Sequence, residues 1–145
     1  VAGAVADQVS KYVTLCFLPA SGIQIFPWFW LTPVRNRGVS FGLFSSGVLT
    51  VPVIIASVAV LAVLIFHAGW SAARPAAYRV AMGMIAGGIL GNLADRVVRG
   101  SVVDFLDFRV WPVFNIADSL IVIGVCIVLF LHLRARCASG MHPNR

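Results

Sequence analysis

From Gly47 to Phe66 the chain runs for twenty residues without one charged side chain. At 1.5 Å per helical residue such a run reaches about 30 Å, the thickness of bilayer hydrocarbon. A membrane span is expected there, with Pro52 tolerated in its first turns. Composition agrees. Of 145 residues, 60% are hydrophobic and 11% charged, and mean hydropathy is +0.96, where soluble domains carry roughly a quarter charged residues. The chain is read as an integral membrane protein. Its net charge of +6 does not point to nucleic acid, because the basic residues are scattered among apolar runs and form no stripe. Basic loops flanking spans are the ordinary membrane pattern.

Run lengths predict four membrane helices, near 1–12, 47–67, 78–95 and 113–134. The first is expected to be a truncated span and not a signal peptide, since no basic leader or cleavage site precedes Asp7. The third is rich in small residues (Gly83, Gly87, Gly88, Gly91), which let membrane helices approach closely. Residues 12–46 carry Pro19, Pro27 and Pro33 among Phe26, Trp28, Phe29 and Trp30. Proline blocks a regular helix there, so short extended segments at the headgroup level are expected. Residues 95–112 read as a polar connector. The fold class is mainly α, one membrane-embedded domain over 1–145, with a small β-rich extramembrane segment.

Alternating the spans across the two membrane faces places all five aspartates on one side: Asp7, Asp95, Asp104, Asp107 and Asp118. There is no glutamate. His67, His132 and His142 fall at the other side, which disfavours a histidine-based triad. Cys16, Cys126 and Cys137 lack metal-ligand spacing, and Cys126 is read as a small hydrophobe in an apolar run. Charge does not orient the chain. The acid-bearing side has six basic residues (Lys11, Arg35, Arg37, Arg96, Arg99, Arg109) and the other five (Arg74, Arg79, Arg134, Arg136, Arg145).

Carboxylates are costly in such a chain unless paired or wetted, so they mark a candidate site. Asn92, Asp95 and Arg96 share one helix face by spacing, and Asn115 and Asp118 are likewise three apart. Two close carboxylates can share a proton; the ionised one takes a proton from water and the protonated one donates to a carbonyl oxygen. That chemistry hydrolyses an amide without metal or cofactor, and none is expected. Structural roles stay open beside it: an Asp95–Arg96 ion pair or helix-end contact, Asn115 as a helix cap, Asp107 in a solvated or local role.

Five blocks resemble the signal peptidase II (lipoprotein signal peptidase) family of bacterial membrane aspartyl peptidases. They are Asp7-Gln8-Val9-Ser10-Lys11, Asn36-Arg37-Gly38-Val39-Ser40-Phe41, the run from Gly87 to Arg96, Gly100-Ser101-Val102-Val103-Asp104-Phe105, and Phe114-Asn115-Ile116-Ala117-Asp118-Ser119. They stand in the family's order over about residues 7–125. The resemblance implies removal of signal peptides from diacylglyceryl-modified prolipoproteins, with cleavage before the lipidated cysteine. It implies Asp104 and Asp118 as the catalytic pair. Asn36, Gly38, Asn92, Arg96 and Asn115 would bind substrate or orient the pair, with Asp7, Lys11 and Asp95 in support. It further implies an active site on the outer, periplasmic face of the inner membrane, and a β-rich cradle in 12–46. Prolipoprotein and membrane lipid are the expected partners of a monomer. Two other readings stand against this one. A Mg²⁺-dependent membrane phosphotransferase is suggested faintly by Gly100 and Asp104, but the rest of that motif is missing. A proton-coupled transport protein would need acids along a path, and none lies mid-membrane in the second or third span.

Overall fold

The computed structural model describes residues 2–37, 50–70 and 75–140. Among the described residues there are four helices: α1 (Ala2–Phe17), α2 (Thr50–Trp70), α3 (Ala76–Arg99) and α4 (Ile116–Gly140). Three short strands are described with them: β1 (Ile23–Phe26), β2 (Phe29–Asn36) and β3 (Val102–Asp107). They form one antiparallel sheet in the order β1-β2-β3.

Two expectations need correction. The first helix does not end near residue 12; it runs to Phe17. Polar residues form its inner stripe: Asp7, Lys11 and Thr14, spaced by four and three, are all buried. The polar connector is also more than a connector, because it contains β3, which pairs with β2. Pro33 is accommodated where the β2–β3 register slips between Leu31 and Val34, a bulge that asks no N–H of proline. α2 and α3 lie within about four residues of their predicted limits, and α4 runs past its predicted end near 134 to Gly140.

The packing is inverted relative to a water-soluble bundle. Val51, Ile55, Val63, Phe66, Val80, Val97, Val122 and Phe130 are exposed, while Asp7, Lys11, Asn92, Asp95 and Asn115 are buried. Lipid supplies no hydrophobic drive between helices, so apolar side chains may face outward and polar ones become the interior glue. Among the described residues one helix is long and apolar enough by itself to cross a bilayer, Ile116–Cys137 with mean hydropathy 2.5; Val51–Leu64 is a shorter apolar stretch. Cys16, Cys126 and Cys137 are free and exposed.

Glycine brings the helices together at two points that matter for the site. A Cβ on Gly88 would lie 2.4 Å from the Ala117 carbonyl oxygen, so α3 meets the start of α4 backbone to backbone. A Cβ on Gly91 would lie 2.5 Å from Asp7 Oδ2, in the space that α1 needs to place its carboxylate against α3. On the sheet side, rings stack in a column: Phe26 on Trp28 (5.4 Å between centroids), Trp28 on Phe108 (5.9 Å), and Phe108 on Phe114 (5.8 Å). The Leu106 and Phe114 backbones hydrogen-bond in both directions, which returns the chain from β3 to the start of α4.

Candidate active site

Asp104 lies in β3 and Asp118 in the first turn of α4. The β2–β3 register sets Asn36 opposite Val102, so Asn36 and Asp104 are diagonal neighbours on one sheet face. Asn36 Nδ2 donates to Asp104 Oδ2 at 3.0 Å. Asp118 is held by a reciprocal cap. Asn115 Oδ1 accepts from the Asp118 backbone N–H at 3.0 Å, and Asp118 Oδ2 accepts from the Asn115 N–H at 3.2 Å. This is the capping-box arrangement with Asn and Asp in its two positions. Asn115 is therefore a cap, and it also reaches the other acid: its Nδ2 donates to Asp104 Oδ1 at 2.6 Å. Asn92 Nδ2 donates to Asp118 Oδ1 at 2.8 Å. One residue, Asn115, thus touches both carboxyl groups, Asp104 through its side-chain amide and Asp118 through its backbone N–H.

Asn36, Asn92, Asp104 and Asp118 line a cavity of about 470 Å³ together with Arg96. Its apolar wall comes from three parts of the chain: Val53 of α2, Trp111 to Phe114 of the return, and Ile121 and Val122 of α4. Asp104 is 3% exposed, and burial pushes its carboxyl up to about 6. The Asp118 charge adds to that rise, while the amides of Asn36 and Asn115 and the Lys11 charge oppose it.

A second pair of aspartates lies behind this one and is neutralised differently. Lys11 Nζ bonds Asp7 Oδ2 at 2.8 Å and Asp95 Oδ2 at 2.9 Å, all three fully buried. Arg99 Nη1 closes onto Asp95 Oδ1, one helical turn along α3. Gln8 Nε2 joins Asp95 Oδ1 at 3.1 Å and the Gly91 carbonyl at 3.0 Å, and its Oε1 accepts from Arg99 at 2.9 Å. The same two carboxylates grip backbone. Val103 N–H donates to Asp95 Oδ2 at 3.0 Å, and Ala117 N–H to Asp7 Oδ1 at 2.9 Å. Each is the residue immediately before a cavity aspartate. The supporting acids therefore clamp the two elements that carry Asp104 and Asp118.

Of the residues singled out from sequence, Asn36, Asn92, Arg96, Asp104, Asn115 and Asp118 come together at the cavity or its rim. Asp7, Lys11 and Asp95 form the cluster behind it. Gly38 lies outside the described residues. The Asp95–Arg96 pair is not formed: Arg96 Nη1 donates to the Asn92 carbonyl at 3.2 Å, and Arg99 is the cation on Asp95. Arg99 and Gln8 were missed, although the spacing of four from Asp95 to Arg99 is a sequence signal. Asp107 is buried and takes the local role. It points away from Asp104 across the strand and is bonded by Thr32 Oγ1 at 3.1 Å and by the Arg109 N–H at 2.8 Å. Burial would raise its carboxyl, but the Arg109 N–H, the Thr32 hydroxyl and the Arg109 guanidinium outweigh that and hold it low.

The family model described as Signal peptidase (SPase) II matches residues 1–134. A protein of Moorella thermoacetica named lipoprotein signal peptidase is 38% identical over 141 residues, covering 94% of this chain and 91% of its own length. Its namesake in Pelotomaculum thermopropionicum is 43% identical over 126 residues, covering 84% and 80%. Two solved structures, each described as a bacterial membrane enzyme, superpose with TM-scores of 0.82 and 0.75 at 27% and 30% identity. They cover 99% and 90% of this chain, and 90% and 87% of their own.

Proposed function

This chain belongs to the signal peptidase II family, and from that premise we propose that Asp104 and Asp118 are its catalytic dyad. The protein is a membrane peptidase that removes signal peptides from prolipoproteins. The observation that carries the dyad reading is Asn115, whose side-chain Nδ2 donates to Asp104 and whose backbone N–H donates to Asp118, two carboxyl groups that share one cavity and, among the described residues, form no ion pair.

Asp118, as carboxylate, takes a proton from water while the water oxygen adds to the scissile carbonyl carbon. Asp104 gives its proton to the carbonyl oxygen, which yields a tetrahedral diol. The proton on Asp118 then passes to the departing amide nitrogen and the C–N bond breaks. Asp104 recovers a proton from a diol hydroxyl as the carboxylic acid forms, so protons and electrons balance without a metal. Asn36 and Asn115 keep Asp104 in place, Asn92 and Asn115 keep Asp118, and Arg96 offers a planar fork to a substrate carbonyl or carboxylate. The apolar wall of Val53, Ile121 and Val122 suits a lipidated residue next to the cut bond, which is placed just before the diacylglyceryl cysteine.

The outward apolar side chains and buried polar ones support a monomeric single domain with all four helices crossing the bilayer. The sheet and dyad are assigned to the periplasmic face of the inner membrane.

The experiment is cleavage of a lipidated prolipoprotein by purified protein. Asp104→Asn and Asp118→Asn should each lose activity by at least about a thousandfold while inserting normally, because Asn keeps the shape and cannot accept the proton. Chelator treatment should leave the parent active. Turnover by Asp118→Asn sinks the dyad; loss on chelation with rescue by Mg²⁺ favours the phosphotransferase or a metallopeptidase instead.

A further inference from the structure

Lys11 is fully buried on α1, and its ammonium has three hydrogens to give and nothing to accept with. Three oxygens meet it: Asp7 Oδ2 at 2.8 Å, Asp95 Oδ2 at 2.9 Å and Asn92 Oδ1 at 2.9 Å. The two carboxylates satisfy charge; the third contact is not needed for that. It does something else. A group that only donates forces Asn92 to present its oxygen, and the same oxygen accepts from Asn115 Nδ2 at 3.1 Å. The Asn92 nitrogen is thereby turned to the other side, where it donates to Asp118 Oδ1 at 2.8 Å. Asn115 is fixed by parallel logic, since the Asp118 backbone N–H can only donate to its Oδ1.

We infer that Lys11 is a positioning residue of the hydrolysis: by holding the Asn92 amide oxygen it keeps an N–H aimed at Asp118 Oδ1 and so holds that carboxyl in its place in the dyad. The inference rests on the dyad reading above. A reversed Asn92 amide would set its oxygen against Asp118 Oδ1 with no hydrogen between them unless Asp118 took the proton. Among the described residues few charged groups face the pair: Lys11 comes from α1, Arg96 and Asp95 from α3, and α2 contributes Val53 to the cavity. On the sheet side, Asn36 of β2 is neutral and Asp107 of β3 is turned away.

Lys11→Met alone would strand a buried negative charge, so the test pairs it with Asp7→Asn, leaving Asp95 balanced by Arg99. The expected result is a kcat lowered about 10- to 100-fold with KM within about threefold. The pH limb that reports the proton shared by the dyad should shift by at least about half a unit. Adding Asn92→Ala should then cost little more, because both changes remove one connection. Unchanged kcat and pH profile, or a fully additive Asn92→Ala loss, overturns the inference. If the paired variant does not fold, the parent still decides. With isotope-labelled asparagine, of which the chain has four, the Asn92 side-chain NH₂ signal should move in Asp118→Asn. An unmoved signal means the nitrogen does not face Asp118. Asp104→Asn and Asp118→Asn run alongside: activity in either removes the dyad, whereas their inactivity with a normal Lys11→Met/Asp7→Asn enzyme removes only the role of Lys11.

Discussion

Two pairs of aspartates share one polar interior and are neutralised in opposite ways. Asp7 and Asp95 are met by Lys11, Arg99 and Gln8, and their remaining lone pairs hold the backbone N–H groups of Ala117 and Val103. Asp104 and Asp118 are met by neutral amides and backbone, and they face a cavity. The difference teaches that burial alone does not mark chemistry. Asp7 and Asp95 are the more deeply buried, yet every oxygen is committed to a cation or a backbone donor. Amides instead fix geometry without cancelling charge, so Asp104 and Asp118 remain able to exchange protons with something that enters the cavity.

The sharpest way to break this contrast is to unbalance the closed pair. Lys11→Met leaves two carboxylates and one arginine in the interior, and losing one partner of a buried ion cluster costs about 3–5 kcal/mol. Thermal unfolding in detergent should show a large loss, and activity should fall in proportion to the folded fraction as well as through Asn92. A Lys11→Met protein as stable as the parent would mean that the cluster is not what clamps β3 and α4.

A change at the rim should act on turnover and spare the fold. Arg96 makes one described hydrogen bond, to its own helix, and lines the cavity. Arg96→Lys keeps the charge and loses the planar fork, so cleavage should drop about 10- to 100-fold with little change in melting temperature. An Arg96→Ala enzyme as active as the parent excludes a substrate role.

What could be read from sequence follows the same division. Run length and alternation brought all five aspartates to one face, and helix spacing grouped Asn92 with Arg96 and Asn115 with Asp118. The interior stripe Asp7, Lys11, Thr14 is also written in the spacing, but the predicted helix limit near residue 12 cuts across it. In a membrane bundle polar residues are the inside, which reverses the usual amphipathic reading. β3 was not legible. Val102–Asp107 is nearly all buried, carries two acids, and pairs with a strand far away in the chain. No local periodicity reports a partner that distant. Which cation meets Asp95 likewise depended on helix geometry: Arg96 is adjacent in sequence and turned away, Arg99 is one turn on.

The open pair also leaves a signature in stability. Asp104 is pushed up to about 6 from an ordinary value of 3.8, so the folded state prefers it protonated. The sign follows: its favourable contribution is fully present below the unfolded pKa and is lost as pH rises through about 6. Asp104→Asn removes the buried charge and should therefore be inactive yet more stable than the parent at pH 8, by on the order of 1–3 kcal/mol. Below about pH 4 the gain should disappear, since the parent carboxyl is then protonated in both states. Melting curves of parent and variant across that range check it. A gain independent of pH would mean that Asp104 is not held protonated by its surroundings.

The smallest effect is expected at Asp107, the acid that sits three residues from Asp104 and belongs to neither pair. Successive side chains of a strand point to opposite faces, so an odd spacing turns Asp107 away from the cavity. Its partners are Thr32, across the sheet in β2, and Arg109 just beyond the strand, whose guanidinium at 3.2 Å is half exposed. An amide in place of the carboxyl keeps an oxygen for one of these donors, and an exposed cation in such a pair contributes little. Asp107→Asn should therefore cost less than about 1 kcal/mol and change cleavage by less than about threefold. Because Trp30 carries Arg109 over its ring at 4.9 Å, the arginine keeps a second contact and the turn before Phe114 should hold. A loss of activity comparable to that of Asp118→Asn, at unchanged stability, would place Asp107 in the chemistry. The division into a closed pair that holds the elements and an open pair proposed to carry the reaction would then have to be redrawn around three acids.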